Sequence, residues 1–409
     1  MEMNQEPRPV SLDIRSDSKP TLDDFIAVVG GSAWDARIKE IGSKIGGGAR
    51  TGRLAAQRYA AECAIEKARR GQQLVPAETA LVALATRVPA LYEVLRGAGR
   101  DRFSSTVAAA LAGEATLIPL LHLLHTAGLQ RSRGFDVAFT GLQEATAFDL
   151  LISRDGAEAE IACEPISAEE GHAVHRAVWT KLIDRVDPDL QTWLAAHPGR
   201  YILKMTLPNG LRSPGETELP ALHRRIKEML AGAARADFDE AAMLRLDPLL
   251  LAGAQSNDVP APAGVLGKLR REFGPEAQLA MTTAGSSVFI MAARAADQNA
   301  VAAAIRQRLA AVAPVRLTGQ KPGIIAMMID DLDQPEWLAM RDQLVLEGEV
   351  RKFLTCPEAA PVVAVTCASR FELGKAIPVV APEGDLRFRN PRHPAAKSPG
   401  LAPAVLSTV

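Results

Sequence analysis

Apolar residues recur along this chain with two different periods. From Leu22 to about Gly113 they fall three to four residues apart, in FIAVV (25–29), RLAAQRYAAECAIEKARRG (53–71) and ETALVALATRVPALYEVL (78–95). That is the spacing of helices that bury one stripe. Pro76 with Glu78 and Thr79 suits a helix start, and Gly71 a helix stop. After about Glu114 the period changes. A helix over Ala115–Leu129 leads into short β-rich runs at FDVAFT (135–140), FDLLIS (148–153) and EIACEPI (160–166), the last two separated by the turn RDGA. Helix 168–194 and the strand RYILKMTL (200–207) follow, then helix 218–234 and the strand AAMLRL (241–246). Beyond a Pro/Gly/Ala-rich connector at 248–266 come helix 266–273, the strands QLAMT and SSVFIMAARA, and helix 297–313. Strand GIIAMMI (323–329), helix 335–354 and strand VVAVTCA (362–368) complete the series.

Strands alternating with helices predict an α/β fold, a mixed β-sheet flanked by helices, behind an N-terminal helical region. The expected division is a disordered leader over 1–20, a helical region over 21–113, an α/β domain over 114–384 with an insertion around 210–280, and a flexible Pro-rich tail over 385–409. At 409 residues, more than one compact unit is expected. Hydrophobic residues at 47% and charged residues at 23% fit a globular chain, and aromatics at only 4% leave the core to Ala, Leu, Val and Ile. A net charge of -1 gives no global attraction to nucleic acid or an anionic membrane, so any such contact must come from a local patch. Four dispersed cysteines, Cys63, Cys163, Cys356 and Cys367, form no CxxC and read as thiols in a reducing compartment. The polar start is not a signal peptide, and no apolar run reaches the ~18 residues of a membrane span. A cytoplasmic protein without a membrane partner is the expectation.

Candidate chemistry concentrates between Ala115 and Leu207. A helix leads to a first strand, a second strand presents Asp149, and a third presents Glu160, Ala162 and Glu164 on one face, because strand residues two apart point the same way. A long helix beginning SAEEGHAVHR follows. This order resembles the PD-(D/E)XK nuclease superfamily, whose helix-β-β-β-helix-β core places one acid on one strand and an acid-x-lysine pair on the next. The resemblance implies a restriction-endonuclease-like core and phosphodiester hydrolysis with Mg²⁺ held by hard oxygen ligands. It covers less than a quarter of the chain. Asp149 stands where the family's first acid belongs, but the second acid falls at Ala162 and the lysine at Glu164. Ala162 removes a ligand; Glu160, one pleat away, is the candidate substitute. The metal-ligand set would then be Asp149, Glu160 and Glu164, with a migrated base from the next helix at Arg176 or Lys181.

Three readings follow. The resemblance with a broken motif implies a catalytically impaired or inactive nuclease-like protein that retains binding. The alternative enzyme is a Mg²⁺-dependent nuclease with a rearranged site, and the third is a non-enzymatic structural or interaction module. Any metal site requires Asp149, Glu160 and Glu164 to converge.

Other motifs carry weaker signals. His122/His125 and His172/His175 are spaced to share a helix face, as metal ligands or as hydrogen-bonded structural histidines. GSKIGGGARTGR (42–53) lacks the preceding strand and the Gly-Lys-Ser/Thr ending of a P-loop. Around it Arg37, Lys39, Lys44, Arg50, Arg53, Arg58, Lys67, Arg69 and Arg70 outnumber the acids, so residues 37–70 are the candidate surface for DNA or RNA. A solvated helix face would show the same excess. Asp330, Asp331 and Asp333 end a strand; Asp333 before Gln334 and Pro335 reads as a helix cap.

Overall fold

A computed structural model describes residues 21–212, 217–249, 269–270, 273–274, 277–296, 300–373 and 385–408. The expected leader lies outside them. Helices α1 (Leu22–Val29), α2 (Gly31–Ile45), α3 (Ala49–Arg58), α4 (Ala60–Arg69), α5 (Pro76–Ala85), α6 (Val88–Val94), α7 (Ala98–Ala110) and α8 (Ile118–Ser132) precede β1 (Asp136–Ala138). Next come α9 (Thr140–Glu144), β2 (Leu150–Arg154), β3 (Ala157–Ser167), α10 (Arg176–Ala196), β4 (Arg200–Leu207), α11 (Glu218–Ala231), β5 (Ala236–Phe238) and β6 (Met243–Pro248). The remainder comprises β7 (Gln278–Ala284), β8 (Ser287–Ala295), α12 (Val301–Arg316), β9 (Gly323–Asp330), α13 (Gln334–Asp342), α14 (Val345–Phe353), β10 (Val362–Ser369), α15 (Arg370–Leu373), β11 (Leu386–Arg389) and α16 (Ala402–Val405).

These elements form two compact units. The first takes its described residues from Met1–Gly42, Ala56–Ser167 and Ala302–Val409; the second from Ser43–Ala55 and Ala168–Val301. The division departs from the expected one, because the chain leaves the first unit after β3 and returns only at α12. The expected insertion of 210–280 falls within the second unit, whose longer stretch begins at Ala168.

The first unit is built on a sheet of order β1-β2-β3-β9-β10-β11. Strands β1, β2 and β3 run antiparallel in sequence, β3, β9 and β10 are parallel, and β11 returns antiparallel to β10. β9 and β10 are buried nearly end to end, which is why they read as continuous apolar runs rather than as alternation. Ala159 and Ile161 of β3, with Ile324, Ala326 and Met328 of β9, share one core with Leu121 and Leu124 of α8. Phe25, Trp34, Leu81 and Leu91 belong to the same core, so α1, most of α2 and α4 to α7 are part of this unit and not a separate region.

The C-terminal stretch expected as a flexible tail is a structural element. Leu386 and Phe388 alternate inward on β11, and Leu401, Ala404 and Val405 join the core. The prolines that suggested disorder sit in the first turns of short helices, at Pro394 and Pro403, where a missing N–H is harmless.

The second unit has its own sheet, of order β5-β6-β4-β8-β7, with β4 and β8 parallel and the other pairs antiparallel. Leu182, Ile183 and Leu190 of α10 and Ile226 and Met229 of α11 pack against Leu203, Met205, Phe289 and Met291. Helix 168–194 and RYILKMTL, expected to complete the nuclease-like sheet, therefore belong here. A tight approach fixes this unit's chain path: Gly210 has φ +71°, and a Cβ there would lie 2.2 Å from the Ala173 carbonyl oxygen. Gly210→Ala is expected to lower stability by about 2 kcal/mol, read as a reduced urea midpoint. Among the described residues, no helix is long and apolar enough to cross a membrane.

Candidate functional site

β3 presents Glu160, Ala162 and Glu164 on the sheet face opposite its Ala159 and Ile161. On α12, Ala302, Ile305, Leu309, Val312 and Ala313 recur every three to four residues and are buried, so this helix packs by that stripe. Beside the stripe stand Arg308 and, two turns on, Arg316.

Asp149 lies immediately before β2. Its N–H donates to the Ile161 carbonyl at 2.9 Å, and its carboxylate accepts the Cys163 N–H at 2.7 Å. Arg316 then bridges two strands: Nη2 donates to Asp149 Oδ2 at 2.6 Å and Nη1 to Glu164 Oε2 at 3.0 Å. Arg308 closes the other oxygen of Glu164, with Nε at 3.0 Å and Nη2 at 2.6 Å from Oε1. Two carboxylates thus meet two guanidinium groups in charge-assisted hydrogen bonds. The Glu164 side chain is 8% exposed and that of Asp149 28%. Burial raises the Asp149 carboxyl above its ordinary value, opposed by Arg316 and the Cys163 N–H. Burial also pushes the Cys163 thiol well up, aided by the Asp149 charge, which disfavours the thiolate a nucleophile needs.

No family model, curated protein or solved structure matches the chain.

The carboxylates of the expected site thus divide. Asp149 and Glu164 come together on one guanidinium. Glu160 is taken up by Thr318, two residues beyond Arg316, accepting its N–H at 2.8 Å and its hydroxyl. Ala162, fully buried between the two glutamates, supplies no donor. Among the described residues, no group of three or more His, Cys, Asp or Glu side chains is placed to hold a metal ion. The donor chemistry at Asp149 and Glu164 suits a hard cation, but the oxygens are already turned to arginine. The residues present do not fit the Mg²⁺ site that the family pattern implies. Glu160→Ala is expected to cost about 1 kcal/mol, because it removes the acceptor of the Thr318 N–H and hydroxyl at an exposed turn that water can reach; a urea titration measures it.

Arg176 and Lys181, expected as migrated bases, lie on α10 in the second unit, where the Arg176 N–H donates to Glu169 Oε2 at 2.9 Å. The cations beside the carboxylates are Arg308 and Arg316 instead. They were not legible, because 144 and 152 residues separate them from Glu164. The available signal was an otherwise apolar helix carrying arginines beside its buried stripe.

The basic stretch is largely spent on internal pairing. Arg37 donates to Glu40 at 3.0 Å and to the Gly113 carbonyl at 2.8 Å, and Arg58 bonds Asp331 at 3.3 Å. Lys67 bonds Glu78 at 2.8 Å, Arg69 pairs with Asp35 at 3.0 Å, and Arg70 bonds Glu66 at 2.7 Å. Arg50 pairs with Asp187 at 2.7 Å. Glycine-rich 42–53 places the start of α3 against Asp184, whose carboxylate accepts the Arg50 and Thr51 N–H groups at 3.0 and 2.8 Å. Helix N-terminal N–H groups that could have held a phosphate hold an internal carboxylate.

Among the histidines, His172 is buried with Nδ1 3.1 Å from Glu169. His122 and His125 are buried in α8. Asp333 caps α13, accepting the Glu336 N–H at 2.9 Å, as its sequence context implied.

Proposed function

We propose that this chain is a non-cleaving protein built on a PD-(D/E)XK-like core, acting through binding or assembly and not through phosphodiester hydrolysis. The observation that carries the reading is Arg316, which draws Asp149 and Glu164 together where the family pattern puts a divalent ion. A guanidinium can hold two carboxylates as a cation does, but it has no open coordination position and activates no water. Ala162 at the position of the second acid points the same way.

The order of elements supports the nuclease-like half. Apart from the short α9 between β1 and β2, α8, β1, β2, β3, α12 and β9 run in the order helix-β-β-β-helix-β, with three antiparallel strands and a fourth parallel to the third. On this reading the second unit is an insertion between the third strand and the second helix. Internal pairing of residues 37–70 leaves that stretch out of the proposal as a nucleic-acid surface.

The test is cleavage of plasmid, single-stranded DNA and RNA with Mg²⁺ or Mn²⁺. The expected result is no metal-dependent product from folded wild type. Cleavage lost in both Asp149→Ala and Glu164→Ala would replace this reading with a nuclease whose site is rearranged.

A further inference from the structure

A second cluster of charge lies in the first unit, and nothing in the carboxylate site uses it. Arg133 ends α8, and Arg387 sits on β11 just after Asp385. Arg133 Nη2 donates to Asp385 Oδ1 at 2.7 Å, and Arg387 Nε is 3.7 Å from the same oxygen. Their side chains are 14% and 11% exposed and that of Asp385 6%. His125, two turns earlier on α8 and 3% exposed, feels the charges of Asp385, Arg87, Arg133 and Glu372. Glu372 is already engaged, accepting from Trp337 Nε1 at 3.0 Å and the Ser369 N–H at 2.8 Å.

The unusual feature is what lacks a hydrogen bond. Among the described residues, Arg133 Nη1, Arg387 Nε and both ring nitrogens of His125 are buried without a hydrogen-bond partner. Buried donors are almost always satisfied, and a charged one left bare costs more than a neutral one. At Asp385 two guanidinium groups, Arg133 and Arg387, share one carboxylate, which leaves an excess of positive charge. Donors arriving from the end of α8 and from β11 suit an acceptor with several oxygens.

We propose that Arg133, Arg387 and His125 form a binding site for a small inorganic oxyanion of the phosphate class. The anion accepts from Arg133 Nη1, Arg387 Nε and one His125 ring N–H, and Asp385 holds the two guanidinium groups apart at its edge. The site is separate from the carboxylates of Asp149 and Glu164, and it stands whether or not the nuclease-like reading does.

Thermal unfolding of the full chain in increasing phosphate, with chloride at matched ionic strength as reference, tests it. A saturable rise in Tm with a midpoint of about 1 mM or below is expected. Arg133→Lys and Arg387→Lys keep the charge but lose the fork, and each is expected to weaken the response about tenfold or more. If one of them fails to fold, the other alone decides. No rise beyond the chloride reference, or a rise unchanged in the folded lysine variants, overturns the proposal. A rise with a nucleoside 5′-monophosphate but none with phosphate overturns it too.

Discussion

Replacing Arg316 by alanine is expected to lower stability by about 3 kcal/mol, more than removal of either carboxylate that it holds. Breaking a buried ion pair from one side typically costs about 3–5 kcal/mol, because the partner is left charged and unpaired. Here the upper end is excluded by water reaching Asp149 and Arg316, whose side chains are 28% and 27% exposed. Glu164 at 8% exposure keeps Arg308, so the larger loss falls on Asp149, whose carboxyl burial already raises. Asp149→Asn in the Arg316→Ala background is therefore expected to recover about 1 kcal/mol or more, a coupling that a double-mutant cycle of urea midpoints reads directly. Two independent single-site effects that simply add would mean that Arg316 does not bridge the pair.

Acid is expected to destabilise the first unit well above the ordinary carboxylate range. Burial lowers His122 to about 3, with the neighbouring His125 charge assisting, and lowers His125 to about 4 against the opposing pull of Asp385. Both folded values lie below the ordinary one, so the folded state resists protonation. The stability these neutral rings contribute is complete above about pH 6.5 and is lost as pH falls through the unfolded value towards the folded ones. By pH 5 each ring accounts for a loss of about 2 kcal/mol, roughly 4 kcal/mol together. The raised Asp149 carboxyl acts with the opposite sign, adding stability as it protonates. Urea midpoints at pH 8 and pH 5 measure the sum. His122→Leu with His125→Leu should flatten the slope between these pH values, and an unchanged slope would assign acid sensitivity to other groups.

The sequence made the individual elements more legible than their partners. GIIAMMI and VVAVTCA are visible as buried strands because both of their faces are covered, leaving no polar alternation to dilute the signal. Which strands share a sheet is a different question. RYILKMTL is as plain a strand as GIIAMMI, yet it pairs with β6 and β8, while β3 pairs in parallel with β9. Local periodicity has no information about a partner more than a hundred residues away. The same limit hid half of the site. Asp149 and Glu164 could be placed by strand alternation, a short-range rule, but their cations come from a helix on the far side of an inserted unit. Helix 335–354 is broken into α13 and α14 at Leu344, which adopts φ +56° without a glycine to announce it. The C-terminal stretch reads as a tail for the reverse reason: its prolines dominate composition, whereas Leu386 and Phe388 carry only a four-residue alternation.

In the proposed non-cleaving protein, Arg316 stands in place of a divalent ion. Mn²⁺ titration of the wild type, followed by water-proton relaxation and compared with Asp149→Asn and Glu164→Gln, tests it most directly. No saturable Mn²⁺ binding that depends on either carboxylate is expected. A stoichiometric Mn²⁺ site in the wild type, lost in both variants, would contradict it and return the chain to the metal-dependent nucleases.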